Sequence, residues 1–188
     1  MKNLIRFAFV ALMLSSIVVS FSSCSSDDDT SVINAKSVDI VHGTYTGTMT
    51  AGDSIVDGVV VSVDSLTKSI DIEKFPVATI VKAVVAEDDQ KEALKSLTDV
   101  TFKTTYTPSL SSNLVNMEIA TTTVSFDIKV KEETHKIVAT IEDKGKGVYN
   151  STNMQLDMTF NVSGATLDET AVSDFKTIKY TFSKSTKK

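Results

Sequence analysis

A chain of 188 residues with 19 basic and 24 acidic side chains carries a formal charge of −5, and it holds one cysteine and no tryptophan. That length fits a single domain, and the acidic balance disfavours nucleic acid, whose binding rests on cationic neutralisation of phosphates. A lone cysteine excludes a disulfide within the chain.

The chain opens with MKNLIR, which carries Lys2 and Arg6, and continues through FAFVALMLSSIVVSF, fifteen residues without a charge. A basic end, an apolar stretch and then small residues is the layout of a secretory signal peptide. A single spanning helix is the alternative, but about 20 apolar residues are needed to cross a bilayer. Ser22-Ser23-Cys24 resembles the lipobox of bacterial lipoproteins, with Phe21 where Leu is usual. The resemblance implies that the Cys24 thiol takes a lipid and that Cys24 becomes the mature N-terminus. Ser25, Ser26, Asp27, Asp28 and Asp29 resemble the acidic tract after the lipidated cysteine in surface-exposed lipoproteins of Bacteroidetes-type bacteria. That likeness implies an outer-membrane protein on the cell surface, with the periplasmic face as the fallback. A tract of this composition is also an ordinary solvated tether, because it cannot bury enough apolar area to fold. The resulting division is a signal peptide over 1–23, a lipidated acidic tether over 24–38, and one domain over 39–188. Without the signal peptide the charge is −7, from 17 basic and 24 acidic side chains.

Beyond the tether the hydropathy pattern has period two. Gly43–Thr50, Ile55–Asp64 and Ser69–Glu73 read as strands with one buried face. After Phe75-Pro76 the period changes: Ile80, Val81, Val84 and Val85 have helical spacing, and Leu94 and Leu97 resume it after EDDQKE. This predicts helices over Val77–Ala86 and Asp88–Leu97, with the proline placed at a first helical turn. Strands return at Val100–Thr107 and Leu114–Ala120. Val124, Phe126, Ile128 and Val130 then alternate with Ser125, Asp127, Lys129 and Lys131. His135–Glu142 follows, then Met154, Leu156, Met158, Phe160 and Val162 against polar neighbours, and finally Ile178, Tyr180 and Phe182. AGD, EDKGKG and NVSGATLDET read as turns, and the terminal KSTKK as a frayed tail. About eight or nine strands largely in sequence order predict an all-β antiparallel barrel or sandwich with a short helical insertion around 77–97.

Gly43-Thr44-Tyr45, in VHGTYTGTMT, resembles the Gly-x-Trp at the start of the first strand of lipocalins and other calycins. A polar tether followed by GTYTGT is also similar to the lipocalin-like domains of uncharacterised lipoproteins from gut Bacteroidetes. The resemblance implies a lipocalin-like barrel over about 41–183, with Tyr45 in place of the packed indole. No arginine follows Arg6, so the arginine that covers that ring in lipocalins has no counterpart. Read from alternation alone, Tyr45, Gly47 and Met49 form an inward strand face.

Candidate chemistry is sparse. His42 precedes the first strand and His135 sits beside KEET in a hairpin, positions that favour exposure over catalysis. The folded part has no cysteine for a structural zinc set, and no HExxH, P-loop or GxSxG string occurs. Asp71, Glu73, Glu118, Asp127 and Asp157 fall on wet strand faces, so no acidic pair suited to glycoside hydrolysis stands out. Asp53, Asp57 and Gly58 only loosely evoke a calcium loop and read as a turn entering the second strand. Asp53-Ser54-Ile55 and Asp64-Ser65-Leu66 resemble the short O-glycosylation sites of Bacteroidetes proteins. No catalytic residue, metal ligand or cofactor is expected. The reading is a non-enzymatic binding module for a small apolar ligand, glycan or peptide, held to the membrane through lipid on Cys24. The alternative is an accessory subunit or inhibitor with a solid core that acts through a protein surface. A hydrolase ranks last.

Overall fold

The computed structural model of the chain describes residues 37–142 and 145–188. Val38–Val41 forms one turn of 3-10 helix, capped by the Ser37 hydroxyl accepting from the Asp39 amide at 3.1 Å. The strands in chain order are β1 (Gly43–Ala51), β2 (Ser54–Asp64) and β3 (Ser69–Ile72), then β4 (Phe102–Ser111), β5 (Leu114–Ile119), β6 (Thr122–Val130), β7 (Glu133–Ile141), β8 (Gly145–Asn150), β9 (Gln155–Leu167), β10 (Thr170–Ala171) and β11 (Ile178–Lys187). Helices α1 (Ala78–Val84) and α2 (Glu87–Lys95) lie between β3 and β4, where the change of period places them.

Eight strands, β1-β2-β3-β4-β5-β8-β9-β11, pair antiparallel in that order, and β11 returns to β1. The result is a closed up-and-down barrel, an arrangement that leaves no free sheet edge within the ring. Of the two architectures the sequence allows, the barrel is the one formed. Its inward faces are the predicted alternating residues, with Tyr45, Met49, Ile70, Ile72, Phe102, Met117, Phe160, Tyr180 and Phe182 all at 2 % exposure or less.

Strands β5 and β6 run almost continuously along one arm of a hairpin, and β7 and β8 along the other. Ile119 pairs with Gly145 and Thr122 with Ile141, so the second arm holds one extra residue at the join. The near half of this hairpin is barrel wall. The far half, β6–β7, leaves the ring and is supported by the C-terminal half of β9, which pairs β7 from Val162 to Leu167. Its apolar face, Val124, Phe126, Ile128, Ile137 and Ala139, joins Ile80, Val81 and Ala93 of the helices in one core. Edge strand β6 is also tied to α2. The Lys129 amide donates to the Ser96 hydroxyl at 2.7 Å, and the Lys131 amide to the Glu92 carboxylate at 3.0 Å. Such cover keeps an otherwise open edge from pairing with other chains.

Four sequence expectations need correction. EDKGKG is not a turn throughout, because Gly145–Asn150 is β8; glycines at its inward positions hide the alternation. NVSGATLDET is strand as far as Leu167, and the turn is confined to Asp168 and Glu169, both with positive φ. KSTKK is not frayed: β11 runs to Lys187, which pairs with Tyr45. Asp57 and Gly58 do not enter β2 by a turn but form a bulge within it, two residues facing Thr48 alone. Gly58 has φ +74°, and the Thr48 hydroxyl donates to Asp57 at 2.6 Å.

Candidate functional site

One end of the barrel is sealed by an aromatic stack. Phe75, from the segment before α1, lies 5.1 Å from Phe102 and 4.8 Å from Tyr180, centroid to centroid, while Phe160 stacks on both Phe102 and Tyr180 at 5.3 and 5.4 Å. Contacts of this kind exceed simple area burial by about 0.5–1.5 kcal/mol each. The Tyr180 hydroxyl donates to the Pro76 carbonyl at 3.0 Å, tying the last strand to the start of the helical insertion.

The opposite rim is built from tyrosines. Tyr45 donates to the Val41 carbonyl and meets Tyr149 edge to face at 5.9 Å. Lys187 lies over both rings, 5.6 Å from Tyr45 and 5.2 Å from Tyr149, and donates to the Ile40 carbonyl at 2.7 Å. The cation that the sequence lacked as an arginine over this ring is therefore supplied by a lysine from the last strand. Burial pushes the Tyr45 phenol well above its ordinary range and pulls the Lys187 ammonium down. Tyr106, 4 % exposed, has a buried hydroxyl with no hydrogen-bond partner. Burial first, then the charges of Asp39 and Asp64, push its pKa up to about 12. Asp39 is held below its usual range by Lys68, 3.1 Å away, and Asp64 by the Thr67 and Leu66 amides.

Between these two ends the interior is filled. At Gly47 an added Cβ would meet the Ser183 carbonyl at 2.7 Å and the Phe182 ring at 2.8 Å. At Gly147 it would meet Met117 at 2.6 Å. Inward glycines in a barrel can leave room for a ligand, but here the neighbouring large side chains occupy the room, as close-packed interiors require. A cleft of about 560 Å³, open to solvent, lies on the outer wall along β4, β5 and β8. Thr107, Ser109, Asn116, Glu118, Lys146 and Val148 line it. It offers hydroxyls, an amide and one charge of each sign, and no aromatic platform for a sugar. A second cleft of about 320 Å³ lies between the helices and the β6–β7 arm, lined by Val84, Val85, Ile128 and Val130 with His135 and Asp89 among its polar groups.

Cys24, Ser25, Ser26, Asp27, Asp28 and Asp29 lie outside the described residues. His42 is exposed and accepts from the Ser65 amide at 3.4 Å. His135 contacts Asp168 at 2.7 Å, and that bond with the Lys136 amide holds Asp168 below the usual carboxylate range. Ser65 is only 6 % exposed, so its hydroxyl is withdrawn from a modifying enzyme in the folded state, whereas Ser54 is half-buried. Among the described residues no three His, Cys, Asp or Glu side chains come together as a metal site. No described helix is long and apolar enough to cross a membrane. The lysine over the tyrosine rings and the outer-wall cleft escaped sequence reasoning, since both depend on which strands become neighbours.

Residues 40–167 match the model of a family described as a domain of unknown function, DUF4840. No curated protein and no solved structure matches the chain. The matched segment ends with β9, while the strand that closes the ring, β11, lies beyond it.

Proposed function

The chain belongs to the DUF4840 family, and we propose that it is a non-enzymatic, lipid-anchored recognition module that engages a protein partner through its outer wall. The observation that carries this reading is the filled barrel, with Phe182 and Met117 packed over Gly47 and Gly147 where a carrier would keep space. Recognition then falls to the surface, and the β4–β5–β8 cleft offers the polar and charged groups a polypeptide would use. Cys24 is the anchor, through the thiol that its lipobox-like setting exposes to acylation. Of the small apolar ligand, glycan or peptide that the sequence allows, the packing over these glycines speaks against a small molecule held inside the barrel and leaves the peptide.

Photo-crosslinking in cells from position 116, in the cleft, against position 179, on the exposed face of β11, tests the proposal. A discrete polypeptide adduct from 116 alone, abolished by Lys146→Glu, is expected. A small molecule retained in native mass spectrometry and released only on unfolding would restore the carrier reading.

A further inference from the structure

Five large apolar side chains are exposed among the described residues, and three of them sit at one end of the barrel. Leu66, 89 % exposed, is in the β2–β3 turn; Leu110, 45 %, is beside the β4–β5 turn; and Met154, 55 %, is in the β8–β9 turn. Pairing fixes them to the same end. The Tyr106 amide donates to the Lys68 carbonyl, so β4 leads past the Leu66 turn toward Leu110. Leu114 pairs with Asn150, which brings the β4–β5 and β8–β9 turns together. Each hairpin connection at this rim therefore presents one apolar side chain. The other two, Ile55 and Val56, lie at the opposite end near the β1–β2 turn.

Two further observations say what covers this rim. The chain enters here: the 3-10 turn is pinned to it by the Lys68–Asp39 ion pair and by Lys187 on the Ile40 carbonyl. Cys24 lies 13 residues before Ser37, a span of at most about 45 Å when extended. Charge is also divided between the ends of a chain that is acidic overall. Lys188 stands exposed at the rim and Lys184, also exposed, on the strand leading to it, and Lys187 lies beneath over the tyrosines. Of the two acids, Asp39 is paired with Lys68 while Asp64 is held by the Leu66 amide. The first turn of α2, at the far end, carries Glu87, Asp88 and Asp89, of which Asp89 is paired with Lys131 at 3.0 Å.

We propose that this rim seats on an anionic lipid surface, with Leu66, Leu110 and Met154 entering the interface and the C-terminal lysines over the headgroups, so that the barrel stands with its helical end outward. A lipid on Cys24 brings the rim to the bilayer but does not orient the barrel, and basic side chains beside an anionic surface supply the orienting contact. The inference rests on Cys24 as the anchor.

The test uses the full-length, acylated chain in vesicles of phosphatidylglycerol and phosphatidylethanolamine that carry a quencher at interfacial depth. A fluorophore is attached in separate variants L66C, L110C, M154C and I55C; Cys24 is blocked by its own lipid. Loss of fluorescence at 66, 110 and 154 but not at 55 is expected, and it should lessen in K184E/K188E or when phosphatidylglycerol is omitted. Acylated, vesicle-bound protein with unquenched tips overturns the seating and leaves the anchor standing. Equal quenching at position 55 overturns the orientation, and indifference to phosphatidylglycerol overturns the anionic preference. Tips that stay unquenched in vesicles yet crosslink to a polypeptide in cells reassign the rim to a protein. Protein with no acyl mass and no vesicle association overturns both the seating and the anchor.

Discussion

At the helical end the barrel is closed by stacked rings, Phe75 on Phe102 and Tyr180, with one hydroxyl tied to a carbonyl. At the tether end it is closed by Tyr45, Tyr106 and Tyr149 beneath a lysine and a 3-10 turn, with one phenol left without a partner. The first closure depends mainly on shape and dispersion and buries a single phenol, Tyr180, which burial also holds above its ordinary range. The second depends on polar groups taken out of water, and its strength changes with their ionisation. A barrel filled from end to end can thus be uniform in packing and still respond unequally at its two rims.

The largest way to break the aromatic end is Phe160→Ala, which removes the ring shared by the stack. A loss of about 3–5 kcal/mol is expected, measured by denaturant unfolding. The tyrosine end, which buries three phenols against one at the aromatic end, should lose the more stability in alkali. Unfolded chain releases the phenol proton near pH 10, whereas folded Tyr106 holds it to about pH 12. Stability is then full below pH 10 and falls as pH rises toward 12, by about 1.4 kcal/mol per pH unit for each such group. Circular dichroism and phenolate absorbance should change together, and the midpoint should move up in the double variant Tyr45→Phe/Tyr106→Phe.

Between the ends, Gly47→Val drives a side chain into the Ser183 carbonyl and the Phe182 ring and should cost about 1–3 kcal/mol; an unchanged stability would mean that the interior has spare volume. Tyr45→Phe, which leaves the Val41 carbonyl without its donor, should cost about 1 kcal/mol. Tyr106→Phe should be neutral or slightly stabilising, since its hydroxyl is buried without a partner. A loss as large as that of Tyr45→Phe would reveal a hydrogen bond at Tyr106.

The ring was legible in the sequence wherever branched and aromatic residues alternate with polar ones. Nine strands were placed, β9 and β11 ending about five residues too early, because Val124–Val130 and Met154–Val162 alternate in plain hydropathy, although Met154 itself falls in the turn before β9. β8 was lost because two of its three inward positions are glycines, which are small for the sake of Met117 and Phe160 on the strands at either side. The end of β11 was lost because a lysine packed over tyrosine rings has the composition of a solvated tail. The rim could not be read at all, for Leu66 and Met154 lie in two separate turns and Leu110 at the end of β4, and they share an end only once the strands are paired.

Closure of the ring by its last strand shapes how the chain reaches its fold. The Thr50 hydroxyl bonds the Thr181 carbonyl across 131 positions of sequence, and every β1–β11 contact spans a similar separation. Contacts of that range slow folding, because chain entropy is lost before they form. As the polypeptide is made from its N-terminus, one edge of β1 stays without its partner until β11, Ile178–Lys187, arrives. That edge is a template for pairing with another copy, so the period before β11 docks is when the protein is most exposed to aggregation.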